Sequence, residues 1–443
     1  MKPYASYKPS GVPWLGDVPS DWTVEKLKFF AKFVGGGTPS KDEPIYWGGE
    51  IPWVSPKDMK QPLIRETEDY ITSEGLGNSP CALIPPSSVL TVVRSGILQH
   101  TIPVAINTVP VTLNQDMKAL IPDGRMDSRY LAYQIEGCQK ELRDEWVKQG
   151  ATVESIEHQR MVDSRLAVPS PDEQQAIADY LDAEIARIDT LLHEKDELIG
   201  LLREARSSRI SELVSGDGLT GAPTGNPWAP HLPEGWELKR LKHLAQVRSG
   251  LAKGKNNGSN PTVELPYLRV ANVQEGSLDL REISTMPVEV DAVERFSLME
   301  GDVLMNEGGD YDKVGRGAVW TGEISPCLHQ NHVFAVRPVE RSLSEWLSAI
   351  TQTRYAKFYF MNNAKQSTNL ASISQANVKE LPILLPPKDQ RKALLKKLGA
   401  ELAAFDDLIA HTNDEITLLK ELRAATIADA VLGRIDVRTA TQQ

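Results

Sequence analysis

The sequence has few of the features that mark a secreted, membrane or metal-binding protein. Its 443 residues include only three cysteines, Cys81, Cys138 and Cys327, and no C-x-x-C pair. This spacing argues against a disulfide framework and a thiolate metal cluster, so we expect buried, apolar cysteines. No apolar run approaches the roughly 18 residues that span a bilayer, and the first residues contain no apolar signal segment. We therefore expect a soluble, cytoplasmic protein without membrane contact.

An excess of positive charge is also missing. The formal net charge at pH 7 is −11, so the chain as a whole does not attract a phosphate backbone. Any binding to nucleic acid must depend on local patches of the surface.

Familiar catalytic signatures are absent as well. The segment GLAKGKN at 250–256 lacks the spacing of a P-loop, and Asn226-Pro227-Trp228 matches only part of the motif of amino-methylating enzymes. His329 and His332 do not have the helical spacing of a zinc enzyme, and we expect a turn or a polar contact there. These absences favour a binding protein without a metal site.

The chain contains two copies of one plan. VPSDWTVEKLKFFAKFVGG at 18–36 matches LPEGWELKRLKHLAQVRSG at 232–250, and the same offset of 214 aligns IPWVSPKDM with LPYLRVANV. LNQDMKALIP at 113–122 aligns with LHQNHVFAVRP at 328–338 at an offset of about 215, and the offset is 217 from Ile156 and Ile373 onward. Preserved order with small insertions indicates a duplicated domain.

Each copy changes character along its length. Its first part has short β-rich runs separated by Gly, Pro, Asn and Asp, which predicts an irregular α+β domain. Its second part is a long helical segment. In the first copy Ser170, Pro171 and Glu173 fit a capping box at the start of this helix, and Gly216 fits its end.

Both helical segments carry an apolar stripe with alternating steps of three and four residues, interrupted by polar residues at matching places. The predicted seam residues are Ile185, Ile188, Leu192, Ile199 and Leu202 in the first helix, and Leu402, Phe405, Ile409, Ile416 and Leu419 in the second. A helix of roughly 43 residues is about 65 Å long, and a compact domain cannot bury such a stripe. We expect the two stripes to pack on each other. If they pack antiparallel, the two α+β domains lie at opposite ends of a rod with a pseudo-two-fold axis.

Several segments together resemble the specificity (S, HsdS) subunit of type I restriction-modification enzymes. They are SGVPWLGDVPSDW, GGGTPSKDEPIYWGGEIPWVSPKDM, LNQDMKAL, GDVLMNEGGDYDKVGRGAV and LPPKDQ. The resemblance covers nearly the whole chain. It implies an α+β fold in which two homologous α/β target recognition domains, 1–150 and 218–367, are separated by two long helices that form an antiparallel coiled coil. The helices belong to a central conserved region, 151–217, and a C-terminal conserved region, 368–443.

The resemblance also implies a function. Each target recognition domain reads one half of a split sequence in double-stranded DNA, and the coiled coil sets the spacer. The chain binds two modification (M) subunits, which methylate adenine using S-adenosylmethionine, and restriction (R) subunits, which cleave DNA with ATP and Mg²⁺. The specificity chain itself is not catalytic and holds none of these cofactors.

Amide, guanidinium, hydroxyl and imidazole groups read base edges, so we look for them in the loops of each domain. The candidates for DNA binding are Ser55, Lys57, Asp58, Arg94, Ser95, Gln99, His100 and Gln115 in the first domain, and Lys253, Lys255, Asn256, Asn257, Arg269, Asn272, Asn306, Lys313, Arg316 and Gln330 in the second.

The charge of these domains is low for a DNA-binding protein. Residues 17–150 contain 14 basic and 18 acidic residues, and residues 232–365 contain 16 and 17. A stand-alone DNA-binding domain is usually basic. We therefore expect the isolated chain to bind DNA weakly and the M subunits to supply much of the phosphate contact.

Two other functions fit the same residues less fully. A non-catalytic coiled-coil scaffold whose end domains bind protein or carbohydrate explains the acidic balance, but not two homologous and divergent end domains. A self-contained methyltransferase would need to bind S-adenosylmethionine.

Overall fold

The computed structural model describes residues 2–148, 153–216, 218–252, 261–367 and 370–438. The chain divides into two compact units: unit 1 is Met1–Lys195 with Asp414–Gln443, and unit 2 is Asp196–Asn413. Among the described residues, no helix combines the length and the apolar character needed to cross a bilayer. Cys138 and Cys327 are buried, as expected, and burial raises the pKa of each thiol to about 12. Cys81 is only half-buried.

Unit 1 consists of short strands and helices followed by the first part of a long helix. Its elements are β1 Tyr7–Pro9, β2 Asp17–Pro19, β3 Thr23–Lys26, β4 Ala31–Gly35, β5 Trp47–Val54, β6 Leu63–Ile64, β7 Asp69–Ile71, α1 Ser73–Gly77, β8 Val89–Val92, β9 Val104–Asn107, β10 Thr112–Leu113, β11 Met117–Pro122, α2 Ser128–Gly137, α3 Gln139–Trp146, α4 His158–Asp163 and β12 Arg165–Val168. The long helix α5, Pro171–Ser215, continues into unit 2.

Unit 2 repeats most of this order. Its elements are β13 Gly221–Asn226, β14 Ala229–Pro233, β15 Glu237–Arg240, β16 Ala245–Ser249, β17 Thr262–Leu268, β18 Ser284–Glu289, α6 Val293–Phe296, β19 Val303–Asn306, β20 Gly308–Gly309, β21 Gly317–Val319, β22 Leu328–His329, β23 Val333–Pro338, α7 Ser344–Thr351, α8 Arg354–Asn363, β24 Lys365–Gln366, β25 Ala371–Ser372, α9 Gln375–Lys379 and β26 Pro382–Leu385. Among its described residues, unit 2 lacks a counterpart of β6, and it has the additional short strands β20, β24 and β25. The second long helix, α10 Lys388–Val431, returns into unit 1.

The strand pairing confirms the duplication. The sheet β4-β11-β8-β9-β6 of unit 1 corresponds to β16-β23-β19-β21 of unit 2, and the parallel pair β5 and β10 corresponds to β17 and β22. In one respect the sequence alignment was wrong. Leu113 pairs with Val54, and His329 pairs with Leu268. Leu113 therefore corresponds to His329 at an offset of 216, and not to Leu328.

Each unit has its own core of large aromatic side chains. Trp22, Tyr130 and Trp146 are fully buried in unit 1. Trp346 and Phe360 are fully buried in unit 2. Side chains of this size contribute the largest share of the apolar area buried on folding.

The predicted boundaries of α5 are confirmed, with one change in the cap. Ser170 Oγ accepts a hydrogen bond from Glu173 N at 3.3 Å, and Pro171 is the first helical residue. The carboxylate of Glu173 accepts a hydrogen bond from the Tyr4 hydroxyl at 2.8 Å. Gly216 follows the last helical residue with a φ of 69°, the left-handed conformation that ends many helices.

Within each unit the long helices run antiparallel. In unit 1, Asp189 Oδ1 lies 2.9 Å from Arg423 Nε, and Lys195 Nζ lies 2.5 Å from Glu415 Oε2. In unit 2, Arg206 Nε lies 2.8 Å from Asp406 Oδ1, and Arg209 Nη2 lies 3.0 Å from Glu401 Oε1. Rising numbers in α5 thus meet falling numbers in α10. The basic residues that interrupt the apolar stripes thus form ion pairs with carboxylates of the opposite helix. Such pairs favour one alignment of the two helices along their length.

Every predicted seam residue is buried or half-buried. Buried residues of this set are Ile185, Ile188, Ile199 and Ile416, and half-buried ones are Leu192, Leu202, Leu402, Phe405, Ile409 and Leu419.

A glycine is required where the residue after β4 passes the end of β10. A Cβ on Gly36 would overlap the carbonyl oxygens of Leu113 and Asn114, whereas a Cβ on Gly35 would meet nothing within 4 Å. In unit 2, a Cβ on Gly250 would overlap the carbonyl oxygens of His329 and Gln330 in the same way. The two glycine-rich stretches therefore serve one packing requirement.

We predict that Gly36→Ala lowers the free energy of unfolding of unit 1 by about 1–3 kcal/mol, because the backbone must move to admit the methyl group. Gly35→Ala is the matched control and should leave stability nearly unchanged. Urea unfolding of the two variants, followed by tryptophan fluorescence, measures the difference. Equal midpoints would contradict the close approach.

Candidate nucleic-acid interface

The strand ends of unit 1 bring its candidate residues to one edge. β4 ends where β11 begins, with Gly35 paired to Lys118, and β8 ends there too, with Val92 paired to Met117. Asn114 N donates a hydrogen bond to Val54 O at 2.9 Å, which adds the end of β5. We call residues 35–38, 55–58, 93–100 and 114–116 the strand-end edge of unit 1.

Unit 2 forms the same edge. Ser249 pairs with Phe334, and Asn306 pairs with Val333. Gln330 N donates to Leu268 O at 2.9 Å, as Asn114 N does to Val54 O. The strand-end edge of unit 2 comprises residues 249–252, 269–272, 306–309 and 330–332. Four predicted residues, Lys253, Lys255, Asn256 and Asn257, lie outside the described residues.

Two candidates in each unit hold loops in place. Asp58 Oδ2 accepts hydrogen bonds from the Ser55 backbone N and Oγ, both at 2.8 Å. Its counterpart Asn272 accepts from Arg269 N at 2.8 Å and donates to Asp279 O at 2.8 Å. Ser55 and Asn272 are only 7% and 3% exposed. These side chains shape the edge from inside.

Asn306 has a similar position. It is 2% exposed, and its Nδ2 donates to Val273 O at 3.2 Å. The side chains of Ser55, Asp58, Asn272 and Asn306 thus form hydrogen bonds that hold the loops of the two edges, and a contact of these residues with DNA stays a prediction.

The other candidates of unit 1 reach the surface. The side chain of Lys57 is 71% exposed, and its Nζ lies 3.8 Å from Glu68 Oε2. Arg94 is exposed and forms an ion pair with Asp116 at 2.6 Å. Ser95 Oγ accepts from Ile97 N at 3.4 Å and so caps a short helix. The remaining three, Gln99, His100 and Gln115, are exposed, and Thr38 Oγ1 donates to Gln115.

The candidates of unit 2 are more enclosed. Arg269 is half-buried beside a cleft of about 390 Å³ that Asn272 and Arg281 also line. Arg316 Nη1 donates to Gln274 Oε1 at 3.2 Å, and Lys313 forms an ion pair with Asp310. Gln330 is half-buried.

Positions that correspond in the two edges carry different side chains. Ser55 corresponds to Arg269, Arg94 to Gly308, Asn114 to Gln330 and Asp116 to His332. The sequence analysis did not include Asn114, Asp116, Glu307 or His332 among the candidate residues. In the structure, His332 Nδ1 lies 3.2 Å from Glu307 Oε2. The strand register reveals them, because it shows which turn residues share an edge.

His329 is a buried residue beside this edge, and it makes the polar contact that we expected. Its side chain is 1% exposed, and Nδ1 lies 2.6 Å from Val333 O. Burial lowers the pKa of the imidazole from 6.5 to about 4. Across the described ranges, no group of three or more His, Cys, Asp or Glu side chains is arranged to hold a metal ion.

This histidine gives unit 2 a sensitivity to acid. Between pH 6.5 and about 4 the unfolded state binds a proton that the folded state does not, so stability is lost as the pH falls through this window. The loss attributable to His329 is about 3 kcal/mol. We predict that His329→Leu, which introduces the residue found at the corresponding position 113, removes this part of the pH dependence. Urea unfolding at pH 7 and pH 4.5 measures it, and an unchanged difference between the two pH values would contradict the assignment.

The family model for the type I restriction modification DNA specificity domain matches residues 19–199 and 233–418. These two matches cover most of the chain, one for each copy of the duplicated plan. The chain belongs to the family of type I restriction-modification DNA specificity proteins.

Characterised relatives show the same likeness. The chain is 39% identical over 202 residues to the type I restriction enzyme EcoR124I/EcoR124II specificity subunit of Escherichia coli, an alignment that spans 45% of this chain and 46% of the relative. It is 24% identical to the type I restriction enzyme MjaIX specificity subunit of Methanocaldococcus jannaschii, over 96% of this chain and 95% of the relative.

Solved structures share the fold. A chain from work on the complex assembly and conformational transition of the type I R-M system matches with a TM-score of 0.70 and 16% identity, over 94% of this chain and 99% of that chain. The HsdS subunit from Thermoanaerobacter tengcongensis matches with a TM-score of 0.50 and 16% identity, over 94% of this chain and 98% of that chain.

Proposed function

We propose that each strand-end edge reads one half of a bipartite site in double-stranded DNA. The observation that carries this proposal is the combination of one backbone arrangement with different polar side chains at corresponding positions. A shared scaffold fixes where the side chains stand, and the side chains then decide which base edges they can bond. Two unlike readers in one chain suit a site whose halves have different sequences.

In this assignment residues 1–150 and 218–367 are the target recognition domains, and residues 151–217 and 368–443 are helical connecting regions. We propose that α5 and α10 set the length of the spacer between the half-sites, since a paired helix is stiffer than a flexible linker. The chain would be the non-catalytic subunit of its complex. Two methyltransferase subunits would bring S-adenosylmethionine, and restriction subunits would bring ATP and Mg²⁺.

The charges of the two edges support a need for partners. Arg94 of the edge in unit 1 and the candidate Lys313, which follows the edge segment 306–309 of unit 2, are each paired with a carboxylate of this chain. Cations in such pairs have less to gain from a phosphate, because the new contact replaces an existing one. We therefore propose that methyltransferase subunits contribute much of the affinity for DNA.

Single substitutions at the edges should change one half-site at a time. We predict that Gln115→Ala relaxes selection at one base pair in one half-site, and that Gln330→Ala does so in the other. The loss of a bidentate contact reduces discrimination by about 1–3 kcal/mol per base pair. Single-molecule methylome sequencing of cells that express each variant with its methyltransferase subunit provides the readout.

The matched control is Lys140→Ala, an exposed lysine of α3 that is not one of the residues of the strand-end edge, which should leave both half-sites unchanged. A single substitution that altered both half-sites would count against separate readers. Cells in which the wild-type complex modifies no bipartite sequence would count against the proposed function itself.

The helices give a second prediction. Seven residues inserted after Gly200, together with seven after Thr417, preserve the heptad phase of both helices. We expect a longer spacer between the modified adenines and unchanged half-sites, again read from the methylome. An unchanged spacer with altered half-sites would contradict the role of the helices.

A further inference from the structure

One segment near each edge is retained in both copies. Residues 148–156 read KQGATVESI, and residues 365–373 read KQSTNLASI, at an offset of 217. Lys, Gln, Ser and Ile recur at the same places. The loops of the strand-end edges show no such identity at the corresponding positions compared above.

The structure holds both segments against the strand-end edges by equivalent contacts. Ile156 N donates to Val93 O, and Ile373 N donates to Glu307 O, both at 2.8 Å. Ser155 forms a bridge with Arg94, and Ser372 pairs with Gly308 in the same antiparallel sense.

The ends of each segment also pair with each other. Lys148 N donates to Ser155 O at 2.9 Å. In unit 2, Lys365 pairs with Ser372 in the short ladder of β24 and β25. In each unit, the described residues at the two ends of the segment therefore pair beside the loops that differ between the units.

The exposed side chains of these segments are alike in the two units. Lys148 and Lys365 are exposed, and within the described ranges neither forms an ion pair. Val153 is 51% exposed and Leu370 is 60% exposed, and they occupy corresponding positions. Residues 149–152 and 368–369 lie outside the described residues, and the site consists of these four side chains alone.

A feature shared by two readers of different sequence cannot encode the difference between their half-sites. The sugar-phosphate backbone is the same in every half-site, whatever bases it carries. A lysine ammonium is a compact charge that binds phosphate without reading sequence. Unpaired lysines are also better placed for this than Arg94, whose guanidinium is already bonded to Asp116.

We propose that Lys148 and Lys365 each bind a backbone phosphate next to the bases read by their own unit, with Val153 and Leu370 packed against the adjoining sugar. The two contacts are equivalent and independent of sequence. This inference rests on the proposed function, because it requires that both edges face DNA.

The test uses the complex of the full chain with its methyltransferase subunits, on a duplex that carries the site defined by methylome sequencing and on a scrambled duplex. The affinity of the complex for each duplex is measured from 50 to 300 mM salt. The wild type is compared with a double alanine variant, Lys148→Ala with Lys365→Ala, and with a double arginine variant, Lys148→Arg with Lys365→Arg. Lys140→Ala is the control for loss of an exposed lysine. Size-exclusion chromatography with light scattering checks the assembly of every complex.

We expect the double alanine variant to bind both duplexes more weakly by a similar factor and to recognise an unchanged site. The slope of log affinity against log salt should become less steep by about 2, since each lost phosphate contact removes about 0.9. The arginine pair should restore the slope, and Lys140→Ala should not alter it.

Three results would overturn the inference. They are an unchanged salt slope in the double alanine variant, a changed recognition sequence, and a loss of methyltransferase assembly in place of a loss of DNA affinity. The last would identify the segments as a protein contact. If the wild-type complex itself fails to prefer the site or to respond to salt, the proposed function fails, and that outcome is distinct from the other three.

Discussion

The arrangement of both sites depends on one backbone contact, the hydrogen bond from Asn114 N to Val54 O in unit 1 and from Gln330 N to Leu268 O in unit 2. This bond follows directly on the parallel strand pair of the small sheet and holds the turn that leads to the first strand residue of the larger sheet, Met117 in β11 or Val333 in β23. Because donor and acceptor are main-chain groups, any side chain except proline at the donor position allows it. The side chains of the edge are therefore free to differ between the units while the loops stay together. Gly36 and Gly250 are required by the same close approach of backbone segments, because the carbonyl oxygens beside this bond leave no space for a Cβ.

The polar residues of the edges divide into two groups with different roles. Asp58 and Asn272 use their side chains to bond the backbone of their own loops, and Ser55 and Asn306 are buried beside them. These contacts reduce the freedom of the loops before any ligand arrives, which lowers the ordering cost of binding. Gln99, His100 and Gln115 remain exposed. A rigid backbone with a few exposed amide and imidazole groups suits the reading of base edges, where geometry decides which bases are accepted.

Much of the fold could be predicted from the sequence. The duplication, the start of α5 at Ser170 and Pro171, its end at Gly216 and the apolar stripes of both helices follow from periodicity and capping, which are local properties. The site was less predictable. Asparagine occurs both exposed to solvent and buried with its amide bonded to a backbone carbonyl. The burial of Asn272 and Asn306 could therefore not be predicted from their residue type. The likeness of Lys148 and Lys365 is visible in the sequence, but only the strand register shows that both segments lie beside the edges. The four predicted residues from Lys253 to Asn257 lie outside the described residues.

Hydrogen–deuterium exchange of the methyltransferase complex, with and without its target duplex, tests most directly whether the strand-end edges face DNA. Slower amide exchange is expected in residues 55–58, 93–100 and 114–116 of unit 1 and in residues 269–272, 306–309 and 330–332 of unit 2, with no slowing on a scrambled duplex at the same concentration. Protection confined to the long helices, or to one unit alone, would contradict the reading of two half-sites by two equivalent edges.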